Sequence, residues 1–190
     1  MTPQAPTFPA ADPTLTGRFL VRDSTEADMA AIHALYTQAV LTGTASFDAD
    51  PPSLLEMLAR RAALLAHPCP YLVAVEADQV LGFAYAGPYR ARHAYRFTVE
   101  NTVYVAEHAA RRGVGTALMH TLIERCRALG YRQMIAVIGD SAQHASIALH
   151  RSAGFAMCGT IRSVGYKFDR WIDSVIMQRA LGDGDTAPAA

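Results

Sequence analysis

The chain is 190 residues long, enough for one domain with a substantial core, and its 17 Lys plus Arg against 17 Asp plus Glu leave no net charge. Such a chain exerts no long-range field toward nucleic acid or an anionic membrane, so any anion it binds must be held by a local site. Apolar residues make up 51% of the sequence, too many for a disordered chain, yet charges interrupt every apolar stretch before the roughly 20 residues that a membrane span requires.

Residues 1–17 and 182–190 show no apolar period and read as mobile tails around one domain over residues 18–181. The N-terminus lacks the positive flank and apolar stretch of a secretory signal, which points to a cytoplasmic protein. FLVR at 19–22 reads as a strand, and Ser24 or Thr25 then caps a helix with Met29, Ile32, Leu35, Tyr36 and Ala39 at helical spacing. The loop TGTASFDADPP leads to a second helix through Leu54, Leu55, Leu58 and Leu65, ending near His67 and Pro68. YLVAVE and QVLGFAYAG read as strands joined by the polar turn Ala77-Asp78.

PYRARHAY is basic, aromatic and aperiodic, hence a loop, and it opens onto a long strand, RFTVENTVYVA. A helix from Gly113 to Leu129 is closed by Gly130; the apolar run MIAVIG is a strand buried on both faces; a short helix around Ser146 to Ala153 is closed by Gly154. Two last strands lie near Phe155 to Ile161 and Ile172 to Arg179. The order βααβββαβαββ predicts an α/β (α+β) fold with a mixed, mostly antiparallel sheet flanked by helices.

Cys69, Cys126 and Cys158 stand far apart with no CxxC spacing, and His144 and His150 are six apart, which does not bring two imidazoles to one helical face, so no metal site is expected. The informative stretch is TVYVAEHAARRGVGTALMHTLIERCRALG, in which a strand passes through a basic turn into an amphipathic helix. Gly113 and Gly115 let the backbone approach a ligand, and the first-turn amides have no partners within the helix, so they can donate to phosphate oxygens. The alternative is that these glycines only allow helix-to-sheet packing. A P-loop is excluded by the absence of its Lys, and a dinucleotide fingerprint by Leu118 where a third glycine belongs.

VYV followed by Arg-Arg-Gly-Val-Gly-Thr and an amphipathic helix resembles the acetyl-CoA motif of the GNAT N-acetyltransferases. AVLTGTASFDADPP (39–52), GFAYAGPYRARHAYRFTVENTVYV (82–105), AVIGDSAQHASIALHRSAGF (136–155) and GYKFDRWIDSVIMQ (165–178) are similar, within that superfamily, to the phosphinothricin and methionine sulfoximine N-acetyltransferase group. The resemblance implies the GNAT fold, acetyl-CoA as cosubstrate, a small amino-acid-like amine as acceptor and a homodimer, with no nucleic-acid or membrane partner. It puts the pyrophosphate on the amides of Arg111, Arg112, Gly113, Val114, Gly115 and Thr116, and the pantetheine arm along Val103, Tyr104 and Val105, with His144 and Ser146 as further contacts. The family's usual Gln or Arg is replaced by Ala110, and its frequent Asn by His144.

Acetyl transfer to an amine needs a group to remove a proton, donors for a developing oxyanion and a proton for the leaving thiolate. Strand alternation sets Thr98, Glu100, Thr102 and Tyr104 on one face and Val99, Asn101, Val103 and Val105 on the other. Glu100 is a mid-strand carboxylate, solvated in the ordinary case, and the resemblance makes it the general base. His150 stands where many GNAT enzymes carry a Tyr acid; it is either the acid for the thiolate or a packing histidine. Arg90, Arg92 and Tyr95 on the basic loop, with Phe47 and Lys167, are the candidate acceptor-binding residues, and Tyr166 and Trp171 are candidate walls or dimer contacts. Acetylation of a peptide N-terminus or a polyamine, and a non-catalytic acyl-CoA-binding module, are the competing readings.

Overall fold

Two apolar clusters on opposite faces of a sheet determine where the helices sit in the computed structural model, which describes residues 14–16 and 18–188. The strands are β1 (Thr14–Thr16), β2 (Phe19–Asp23), β3 (Tyr71–Glu76), β4 (Gln79–Pro88), β5 (Thr98–Val105), β6 (Gln133–Gly139), β7 (Ala156–Lys167) and β8 (Arg170–Ala180). The helices are α1 (Met29–Thr42), α2 (Leu54–Leu65), α3 (Val114–Ala128) and α4 (His144–Ser152). All eight strands form one sheet in the order β1-β2-β3-β4-β5-β6-β8-β7.

From β2 onward the elements follow the order expected from periodicity. Amphipathic α3 buries Val114, Leu118, Met119, Leu122, Ile123 and Cys126 against one face, joined by Ala153 and Leu149 from the α4 side. On the other face α1 and α2 bring Met29, Ile32 and Met57 against Tyr71, Val73 and Phe83. The entry to α1 is locked by Asp28, which accepts from Thr25 N and Oγ1 and takes both Arg22 guanidinium nitrogens at 2.7 and 2.8 Å, so its carboxyl is held down at a pKa of about 2.

Two features fall in the segments read as tails. Thr14–Thr16 pair antiparallel with β2, while residues 1–13 and 17 lie outside the described residues. At the other end, Arg132 donates to the carbonyls of Gly184 and Ala187 at 2.9 and 2.8 Å and pairs with Asp183, turning the segment after Leu181 back onto the sheet end. A tail without its own apolar period can be held by one guanidinium, which no periodicity reveals. Among the described residues no helix is long and apolar enough to cross a membrane.

Candidate active site

The site arises where two parallel neighbours part. β5 and β6 pair from Thr98↔Gln133 to Asn101↔Ala136 and no further, although β5 runs on to Val105 and β6 to Gly139. Each strand keeps its other neighbour throughout, β4 along Gly82↔Val105 and β8 along Gly139↔Ser174. Beyond Asn101, alternate N–H and C=O groups of β5 therefore face a gap instead of a partner strand. A cavity of about 70 Å³ opens at the parting point, lined among others by Ala45, Glu100, Asn101, Tyr104, Ser146 and His150. A larger groove of about 870 Å³ lies at the outer end of β5, between Leu35, Gln38, Ala39 and Thr42 of α1 and Val105 to His108.

The groove's last lining residues lead into the basic turn before α3. Arg111 and Gly113 both take positive φ, 60° and 85°, which aims the chain into the helix with Gly113 as its N-cap. No side chain caps α3. The first backbone bond of the helix is Ala117 N–H to Gly113 O, so the amides of Val114, Gly115 and Thr116 have no acceptor within the helix and form, with its dipole, an anion cradle. A Cβ on Gly115 would lie 3.3 Å from a Leu149 methyl and 3.4 Å from a Val105 methyl, a tight fit that shows how closely α3 stands to β5 and α4 there.

The α1 and α2 face carries Glu100 together with an aromatic wall. Tyr104 stacks on Phe83 at 5.4 Å and meets Tyr36 edge-on at 5.2 Å, and Tyr36 donates its hydroxyl hydrogen to Asp48 at 2.8 Å. Burial pushes the Glu100 carboxyl above its ordinary value, and Arg90, 3.9 Å away, pulls it partly back. Arg90 itself lies over the Tyr89 ring at 4.2 Å. The α3 and α4 face carries Asn101 and His150. Ser146 O can only accept, so His150 Nδ1 bears the hydrogen of that 2.8 Å bond. Burial lowers the pKa of His150 and keeps the ring neutral, which leaves Nε2 to accept from Asn101 Nδ2 at 2.9 Å.

Residues 23–155 match the acetyltransferase (GNAT) family. The chain belongs to that family. Among its relatives, a phosphinothricin N-acetyltransferase of Alcaligenes faecalis is 52% identical over 88% of this chain and 83% of its own length. An L-methionine sulfoximine/L-methionine sulfone acetyltransferase of Pseudomonas paraeruginosa is 40% identical over 88% of this chain and 98% of its own. The crystal structure of a GNAT phosphinothricin acetyltransferase from Sinorhizobium meliloti, in complex with acetyl-CoA, matches with a TM-score of 0.88 and 42% identity over 91% of this chain and 94% of that one.

In this GNAT domain the expected site residues divide. Glu100, Tyr104, Val103, Ser146 and His150 all line the cavity, and Arg90 reaches its rim through Glu100. Arg92 and Tyr95 are exposed on the basic loop, with Tyr95 edge-on to Tyr89 at 5.7 Å, and His144 is exposed at the start of α4. Arg112 is turned toward Glu76, which it meets at 2.6 Å, leaving Arg111 as the neighbour of the cradle. Lys167 departs furthest from its expected role: it is 7% exposed, and its amine donates to the carbonyls of Gly43 and Ser46 at 3.0 and 3.1 Å. Phe47 packs over Gly165, where a Cβ would collide with its ring. These two side chains tie the β7–β8 hairpin to the loop after α1.

Sequence reasoning missed Asn101 and Ala45 on the cavity wall and Tyr36 against Tyr104. Asn101 had a readable signal, since it is the one polar residue among the valines of its strand face. Ala45 had none: it reaches the cavity because Gly139 admits the Thr44 carbonyl at a distance no Cβ permits, and because Asp140, 5% exposed, accepts from Thr44 Oγ1 at 2.8 Å.

Proposed function

We propose that this protein is an acetyl-CoA-dependent N-acetyltransferase that acetylates the amino group of a small amino-acid-like acceptor of the phosphinothricin, methionine sulfoximine or methionine sulfone type. The observation that carries the reading is the parted β5–β6 pair with Glu100 in its mouth and the α3 amides at its outer end. The donor set suits acetyl-CoA: unpartnered amides at Val114 to Thr116 with Arg111 beside them fit a pyrophosphate, and the free edge of β5 over Val103 to Val105 fits an amide-bearing arm. Ser146 and His144 are the α4 side chains available to it, and Ala110 contributes none. When bound, acetyl-CoA supplies an activated acyl group.

Glu100 is the general base. Its raised pKa fits a carboxylate that must accept a proton from the acceptor amine, and its place on the α1 and α2 face lets it do so from the side opposite the α3 cradle. Backbone N–H groups of the parted segment of β5 are the donors for the oxyanion. Arg90, Arg92 and Tyr95 bind the anionic end of the acceptor, with guanidinium forks matched to carboxylate or phosphinate. Of the two readings of His150 its hydrogen bonds favour the packing one, since its Nδ1–H points at Ser146 O and its Nε2 is occupied by Asn101, so it acts as a positioning residue; attack by the neutral amine forms the amide as the thioester C–S bond breaks, and the one proton that the nitrogen gives up to Glu100 equals the one that the thiolate gains. We propose a cytoplasmic location.

Thiol release with acetyl-CoA is measured against methionine sulfone, methionine sulfoximine, phosphinothricin, ordinary amino acids, a polyamine and a peptide. Turnover confined to the first three is expected. Turnover only with polyamine or peptide overturns the acceptor class, and acetyl-CoA binding without turnover on any acceptor makes the chain a non-catalytic acyl-CoA module.

A homodimer is supported by the terminal strand of the sheet. Among the described residues β7 has no strand partner beyond β8, and Met157, Ile161, Val164, Tyr166, Phe168 and Trp171 on this hairpin are all exposed, an apolar strip of the kind that a second copy covers. Light scattering is expected to give a dimer for the natural chain and a monomer for Trp171→Glu; a monomer for both removes the dimer.

A further inference from the structure

The inner end of the β5–β6 gap is closed by one side-chain pair whose chemistry the proposed reaction does not use. The ladder ends at Asn101↔Ala136, and the small cavity that begins there is lined by both Asn101 and His150. These two side chains are 6% and 3% exposed. His150 is held at three points: Nδ1–H on Ser146 O at 2.8 Å, Nε2 on the Asn101 amide at 2.9 Å, and its ring edge-on to Phe155 at 5.1 Å. A ring so constrained is a fixed stop, and it fixes the Asn101 carboxamide in turn.

The carboxamide uses its N–H on His150, and Asn101 Oδ1 is left as a buried side-chain oxygen with no hydrogen-bond partner. Buried polar atoms are nearly always satisfied, so an orphan at the end of a cavity marks a surface built for something other than hydrocarbon. Sealing such an oxygen behind methylene groups is unfavourable, because no donor can then reach it. Space works in the same direction: the cavity is small, about 70 Å³, so a longer acyl chain has less room at its closed end than acetyl.

We propose that Asn101, fixed by His150, is the floor of the acyl pocket and restricts the transferred group to acetyl, by volume and by polarity together. The inference rests on the acetyl-CoA reading above, because an arm laid along β5 from Val105 inward brings its acyl end to the closed end of the gap. It adds the acyl-chain selectivity of the site, and it gives the neutral histidine on α4 a role that needs no proton transfer.

The test compares acetyl-, propionyl- and butyryl-CoA on the full chain, by calorimetric Kd without acceptor and by thiol release with the best acceptor. The natural chain is expected to bind and use acetyl-CoA in preference to butyryl-CoA by ~10-fold or more, the scale on which added methylenes are discriminated in a filled pocket. Asn101→Ala and Asn101→Ser, two sizes of the same opening, are expected to shrink that preference by ~10-fold in both readouts. A natural chain that takes butyryl-CoA as readily as acetyl-CoA overturns the proposal, and so does a folded Asn101 variant that keeps the full preference. Failure of the natural chain to bind any of the three thioesters, with its circular dichroism that of a folded α/β protein, overturns the acetyl-CoA reading itself and the floor with it, an outcome distinct from binding without discrimination.

Discussion

Replacing Glu100 by Gln is expected to lower kcat by ~10²- to 10⁴-fold, the range over which a positioned general base contributes, while the Kd for acetyl-CoA stays unchanged. The two effects separate because Glu100 lies on the α1 and α2 face of β5, whereas the anion cradle is at the far end of the strand on α3. A pH profile adds a sign that a merely structural carboxylate would not give. Burial raises the folded-state pKa of Glu100 above the ordinary 4.5 and Arg90 opposes that rise, so the active carboxylate form is lost as pH falls through a value above 4.5. Removing the opposing charge must raise the pKa further. Arg90→Gln is therefore expected to move the acid limb of the kcat profile to higher pH, apart from any rise in acceptor KM. A Glu100→Gln variant with full turnover removes the carboxylate from the chemistry; an acid limb that stays put in Arg90→Gln separates Arg90 from it.

The features that govern the fold were legible because they are local. Alternation along Thr98 to Val105 sets Val99 and Tyr104 on opposite faces, and they do lie in the two opposite clusters, while the glycines at 113 and 115 mark the strand-to-helix turn. The cavity was half legible. Glu100, Ser146 and His150 could be listed from the sequence, but the bond that joins Asn101 to His150 spans 49 positions and depends on β5 and α4 meeting across the parted strands. The hydrogen-bonding state of His150 was illegible for the same reason: a residue type permits proton transfer, whereas the acceptor opposite Nδ1 decides whether a proton is available to give.

Lys167 is the sharpest instance of a residue type whose role is decided by its partners. The sequence places Lys167 among the candidate acceptor-binding residues, yet its amine is buried and bridges two carbonyls of the loop after α1, while burial lowers its pKa against the opposing pull of Asp48. Lys167→Ala and Lys167→Met both delete two bonds from a charged donor, worth ~3 kcal/mol together at the lower end of ~1.5 kcal/mol each, and leave the carbonyls of Gly43 and Ser46 without that donor. For a domain of this size each kcal/mol moves Tm by ~2–4 °C, so a fall of ~6–12 °C is expected in differential scanning calorimetry. The loop that loosens carries Ala45 on the cavity wall, and acceptor KM is expected to rise while kcat at saturation changes little. Met retains most of the aliphatic stem, so equal losses in the two variants assign the effect to the bonds and not to packing. The opposite pattern, an unchanged Tm with KM raised in both, would make Lys167 a substrate ligand after all, and would require its amine to leave those carbonyls when the acceptor binds.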